Sequence, residues 1–199
     1  DDVLRGFGVR GYNWDFTTEL QHQLAEGLSL SGGYYRNWYG NFTVSKNTMT
    51  TPADYTSYCV TAPLDPRLPE GGGYRICDLA DVSLAKFGQV FTRISQSSLY
   101  GEQKQINDFF AITMNARFGS RARLAGGLDL GRSMTDNCFI FDSAQDLLNC
   151  HNVKGYGANA QVKFNGNVWL PGDLLLSGLI QNLPGSTITA SWVFNRCGI

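Results

Sequence analysis

Charge is scarce in this chain. Asp, Glu, Lys and Arg make up 17% of its 199 residues, against about 25% in an ordinary soluble domain, and the formal net charge is −1. There is no basic excess to neutralise phosphates, so no nucleic-acid partner is expected. Long hydrophobic runs are also absent. Nothing approaches the run of about 18 apolar residues that a membrane helix needs. That leaves a transmembrane β-barrel open, because its strands alternate instead. Histidine is nearly missing: His22 and His151 are the two present. His22 sits among alternating apolar residues and reads as an interfacial aromatic. His151 follows Cys150 with no Cys/His spacing of a zinc site around it. A Ser or Cys nucleophile needs a His and an orienting acid, and neither His has that setting. Catalysis, cofactor and metal are therefore not expected. The acids Asp54, Asp65, Asp78 and Asp81 lack the ordered ladder of a calcium loop and read as solvated. The chain opens on Asp1-Asp2 without Met or a signal-peptide pattern, so it is expected to be a processed product or part of something longer.

What is present is alternation. Residues 10–24, RGYNWDFTTELQHQL, place Tyr12, Trp14, Phe16, Thr18, Leu20, His22 and Leu24 on one face. Asn13, Asp15, Thr17, Glu19, Gln21 and Gln23 take the other. Period-2 patterning is the mark of a strand with one apolar side. Residues 28–44 continue it after the turn 25–27, with Leu28, Leu30, Tyr34, Trp38, Phe42 and Val44 on the apolar face and Arg36 breaking it. Further strands are expected at 104–118, 123–134, 155–165 and 173–182, the last without a clear phase because Leu174, Leu175 and Leu176 are consecutive. TITASWVF at 187–194 is one more strand-like segment. These strands exceed the usual five or six residues and suit the roughly 9–11 that cross a bilayer. Aromatics gather toward strand ends, as in an interfacial girdle. The triplet Asn41-Phe42-Thr43 has the form of a glycosylation sequon.

Connection lengths alternate. The turns 25–27, 119–122 and 170–173 are short, while the loops 45–103 and 135–154 are long. Short turns then share one end of the sheet and long loops the other, which is the asymmetry of outer-membrane barrels. Counting 87–100 as another spanning strand would break that order, so it is placed in the long-loop region as a strand extension or loop hairpin. Each long loop holds two close cysteines, Cys59 with Cys77 and Cys138 with Cys150. Proximity favours two local disulfides and an oxidising compartment, with free thiols or other pairings left open. Cys197 is left over.

The strings RGYNWDFTTELQHQL, GLSLSGGYYRNWYGNFTV, TPADYTSYCVTAPLDPRLPEGGGYRICDL, KFGQV and YGEQKQINDFFAITMNARFG resemble the barrel region of TonB-dependent receptor-like outer-membrane proteins. The nearest kind is the large Oar-like receptors of acidobacteria, which carry a carboxypeptidase-regulatory-like domain. The resemblance implies a 22-stranded barrel closed by a plug and driven by an inner-membrane coupling partner. No plug or coupling box is seen in these residues, and about six spanning strands fall short of the eight or more that closure takes. The chain is thus expected to be a late barrel segment of a receptor or transporter. The alternative is a shortened relative that pairs its edges with copies of itself as a surface or extracellular ring, tube or filament.

The expected fold is all-β: a long antiparallel meander of six to eight strands, part of or similar to an outer-membrane barrel. Residues 1–199 are read as a single barrel-type domain or segment. Expected partners are outer-membrane lipid, the remaining barrel strands or copies of the chain, and an unidentified small ligand. Outward loop residues Tyr55, Tyr58, Tyr74 and Arg75 are the candidate ligand contacts. The expected location is the bacterial outer membrane or, alternatively, the cell surface.

Overall fold

The computed structural model describes residues 5–186, 189 and 191–193. Cys197 and most of the 187–194 segment lie outside them. The described part of that segment, Thr189, Ser191, Trp192 and Val193, is not in a strand.

The chain is all-β, built on one antiparallel sheet. Six long strands run in the order β1 (Tyr12–Ala25), β2 (Leu28–Gly40), β7 (Lys104–Phe118), β8 (Ala122–Asp136), β10 (Gln161–Leu170) and β11 (Leu174–Asn182). A short strand, β9 (His151–Lys154), also pairs with β8. The remaining strands lie between β2 and β7. There, β3 (Thr43–Asn47) pairs with β6 (Thr92–Gln96), and β4 (Tyr55–Thr61) pairs with β5 (Arg75–Val82). The 87–100 stretch is therefore no spanning strand: its β6 pairs with β3 in a separate two-stranded sheet.

Two expected boundaries are corrected. The strand placed at 155–165 begins only at Gln161 and runs to Leu170. Ser133 of β8 faces Lys154, and Asp129 faces Gln161, so residues 155–160 lie opposite only 130–132. The excess bulges out as a short 3₁₀ turn, Tyr156–Asn159, between the collinear β9 and β10. The strand expected through 44 ends at Gly40. Asn41 takes a left-handed φ of 55°, and its side-chain amide donates to the carbonyls of Gly8 (2.6 Å) and Arg10 (3.0 Å). The sequon asparagine is thus tied into the bend that starts β3.

Turn chemistry sets the short end of the sheet. Gly27 has φ +78°, and a Cβ there would lie 2.6 Å from the Arg117 carbonyl oxygen. Backbone hydrogen bonds also close this end: Arg117 N–H donates to the Gly27 carbonyl (2.6 Å) and Trp169 N–H to the Arg121 carbonyl (2.8 Å). All three short turns fall at this end. Both long connections, 41–103 and 137–160, leave from the other.

No second layer covers the sheet among the described residues. Every residue of β1 and of β11 is exposed, and these two strands form the open edges. The buried side chains collect elsewhere. Val44, Val60, Ala62, Phe139, Thr50, Ser97 and Ser143 lie in the long connections, and in the sheet Ala116 is the buried apolar side chain.

Candidate functional site: an aromatic belt and a disulfide-tied platform

Register assembles the alternating patterns into two continuous faces. On one, Leu20, Leu30, Ile112, Leu128, Val162 and Ile180 continue from strand to strand, with Tyr34 opposite Phe110 and Trp14 opposite Trp38. The consecutive leucines of β11 resolve here: Leu174 and Leu176 join this face and Leu175 the other. Much of the apolar face is open, with Leu20 76%, Ile112 50% and Ile180 74% exposed.

Four rings form a chain across this face near the long-loop end. Phe16 and Tyr34 lie 6.4 Å apart, Tyr34 and Phe110 4.9 Å, and Phe110 and Tyr156 5.7 Å. Tyr156 reaches the row because the 155–160 bulge carries it over Phe110. Sequence periodicity alone had placed Tyr156 in a regular strand. The row that follows toward the loops is charged: Phe16, Arg36, Asp108 and Arg132 are register partners in succession. Asp108 accepts a hydrogen bond from the Tyr34 hydroxyl at 2.7 Å and lies 3.7 Å from Arg36. The Arg36 that interrupts the sequence pattern thus meets its counter-charge across β2–β7.

The opposite face is richer in polar groups, though Tyr35, Tyr39, Phe109, Trp169, Leu175 and Leu179 also lie on it. The Asn13 and Asn37 amides donate to Asp15 (2.8 and 2.6 Å), the Asn107 amide donates to Asn37 (3.4 Å), and Ser31 bonds Thr113 across β2–β7. Small residues also line this side, among them Gly33, Ala111, Gly127 and Gly131. A wall of amides, hydroxyls and glycines suits contact with water.

At the long-loop end the two connections fold into a platform. Disulfides join Cys59 to Cys77 and Cys138 to Cys150, the pairings expected from proximity. Asp146 accepts from three successive backbone N–H groups, Phe141 (2.9 Å), Asp142 (2.8 Å) and Ser143 (3.1 Å), and so caps the turn Ala144–Leu147. Gln145 accepts from the Ala80 N–H at 3.1 Å, linking the second loop to β5. Lys46 stands 5.1 Å over the Tyr100 ring. Burial pushes the Asp142 carboxyl up.

The loop acids have local partners. Asp54 accepts from the Thr51 N–H (2.8 Å) and hydroxyl (2.9 Å), which holds its carboxyl below the usual range. Asp65 takes a two-pronged hydrogen bond from the Arg67 guanidinium (3.0 and 2.7 Å), which lowers it to about 2. His151 pairs with Asp136 at 2.7 Å beside the second disulfide. Among the described residues, no cluster of three or more His, Cys, Asp or Glu could hold a metal.

The four expected ligand contacts do not converge. Tyr58 and Tyr74 line a groove of about 760 Å³ on the β4–β5 hairpin, with Val60, Ile76, Leu79 and Trp192. Tyr55 instead lies 3.3 Å from the buried Thr50 hydroxyl, and Arg75 is exposed in register with Thr61 outside the groove. Trp192 was missed because its segment reads as a strand. Gly72 shapes the rim: at φ +81° a Cβ would strike the Pro63 carbonyl.

No family model, curated protein or solved structure matches this chain.

Proposed function

We propose that this chain forms part of the wall of an outer-membrane β-barrel of receptor or transporter type. Its apolar face turns to lipid, its amide-rich face to a wet lumen, and its disulfide-tied loops outward to an unidentified small ligand. The observation that carries the reading is one face that is largely apolar across the six long strands, crossed by the single Arg36–Asp108–Arg132 row, and covered by no protein layer among the described residues. The segregation of short turns and long loops to opposite ends supports it. So does the resemblance of the strand strings to TonB-dependent receptors. The oxidised cysteine pairs suit a location outside the cytoplasm.

Tryptophan placement supplies the test. Ile112 on the apolar face and Thr113 on the other are neighbours near mid-sheet. Variants carrying Ile112→Trp or Thr113→Trp, with the native tryptophans replaced by Phe, are folded into vesicles whose acyl chains carry bromine. Strong quenching at position 112 and weak quenching at position 113 is the expected result. Equal quenching at both, or recovery of the native chain as a water-soluble monomer, overturns the proposal.

A second reading rests on the open edges. β1 runs from the loop end to the turn end and β11 runs the opposite way, so β11 of one copy and β1 of the next are antiparallel when placed side by side. Such pairing keeps both faces and both ends in phase, and supports a self-assembling surface protein. Ordered polymers in negative-stain electron microscopy without detergent would favour this reading over the first.

A further inference from the structure

We propose that Arg36 and Arg132, on either side of Asp108, form a binding site on the apolar face for the phosphate of an anionic lipid headgroup. The inference rests on that face meeting lipid. Its starting point is a charge imbalance. The row Phe16–Arg36–Asp108–Arg132 sets two guanidinium groups against one carboxylate, and Phe16 brings no charge. Asp108 is 14% exposed, is held by the Tyr34 hydroxyl, and lies 3.7 Å from Arg36. Arg132 is half-buried in register with Asp108, and among the described residues no ion pair or hydrogen bond engages its guanidinium. The Arg36 side chain remains 44% exposed despite its partner. The row therefore carries a net positive charge of one; the other charges near it on this face, Lys104 opposite Asp136 and Glu102 paired with Lys104, lie closer to the loops.

Height gives that charge its meaning. Arg36 is eight residues above Leu28, the first residue of β2 at the short-turn end. At about 3.4 Å per residue that is roughly 27 Å along the strand. A tilt of about 40° reduces it to roughly 20 Å across the sheet, near the upper margin of an apolar band about 25 Å tall. An arginine at the bilayer midplane costs about 2–4 kcal/mol, but near the interface this falls to about 0–1. Tyr34, Phe110 and Tyr156 lie just below the row, Phe16 stands in it, and Trp14 and Trp38 lie one step above, so the row sits among aromatics at the depth where interfacial rings gather. Phosphate groups begin at this level. A guanidinium fork binds phosphate oxygens in a bidentate manner, which Asp108 alone cannot provide for two arginines. Phosphate thus completes the row: two arginines shared between one fixed carboxylate and one lipid anion.

The test uses the full 199-residue chain and two kinds of vesicle, phosphatidylcholine alone and phosphatidylcholine with a minor share of phosphatidylglycerol. One basic residue near an anionic surface contributes about 1 kcal/mol, which is about a five-fold change in partition. The wild-type chain is expected to prefer the anionic vesicles. Arg132→Gln should lower that preference about five-fold and Arg132→Lys should retain most of it, while Arg123→Gln on the polar face should leave it unchanged. Inorganic phosphate at matched ionic strength should not abolish the preference. If it does, the commitment to lipid is overturned in favour of a general phosphate site. Entry into both vesicle types without preference, or a preference that survives both Arg36→Gln and Arg132→Gln, overturns the site and leaves the lipid-facing sheet standing. Failure to enter either vesicle overturns the lipid-facing sheet itself, and this site with it.

Discussion

The sheet and the loop platform solve opposite problems. The sheet is the more apolar, yet Ala116 is its buried apolar side chain. The platform is richer in turns and polar residues, yet it contains Val44, Val60, Ala62 and Phe139 as small protected centres. Apolar content therefore does not tell where a core forms. In the sheet, period-2 patterning sends most large apolar residues to one face, which no layer covers among the described residues. In the platform the stabilisation is internal, from two cross-links, a capped turn and a few buried contacts. A part built to meet lipid and a part built to meet water would differ in this way.

Breaking the cross-links separates the two most sharply. Replacing both cysteines of either disulfide by Ser should cost the platform about 2–5 kcal/mol. Limited proteolysis should then cut within 41–103 or 137–160, while the far-ultraviolet β signal of the sheet persists. Loss of the sheet signal together with the loops would mean that the two regions fold as one unit.

Charge placed on the sheet probes its two faces. Ile112→Arg, on the apolar face, should destabilise the membrane-inserted protein by about 2–4 kcal/mol, and Thr113→Arg, on the polar face, by much less. Denaturant titration in vesicles would measure both. Similar costs on adjacent positions would erase the distinction between the faces.

A smaller effect is expected in the capped turn. Asp146→Ala leaves the N–H groups of Phe141, Asp142 and Ser143 without their carboxylate acceptor. A loss of about 1–3 kcal/mol is expected, read as faster hydrogen exchange at those amides with the sheet amides unaffected.

The smallest effect is pH-linked. Asp65 is lowered to about 2 by Arg67. Its contribution is fully present above the ordinary value of 3.8 and is lost as pH falls through about 2. Arg67→Ala should return the Asp65 titration toward the ordinary value, measurable by carboxyl carbon NMR. Because the pair is exposed, global stability should barely change.

Strand alternation is a local property, so the sequence by itself determined the long strands, their two faces, the short turns and the separation of long loops from them. It also favoured, by proximity, the two disulfides that form, each closing a short loop: the separations are 18 and 12 residues. Non-local register was beyond it. Nothing near Arg36 announces Asp108, and nothing in 155–165 announces that six residues must fit opposite three. Those facts exist only once the 41–103 and 137–160 connections have folded and set which residues stand opposite one another. The same is true of the groove, where Tyr58 and Tyr74 meet a Trp192 from the far end of the chain while Tyr55 and Arg75 stand aside. Tertiary structure alone decided that an apparent flaw in an apolar strand, Arg36, belongs to a charged row at the edge of an aromatic belt. A single strand carries its own face, but only its neighbours set the height and the partners of each residue on it.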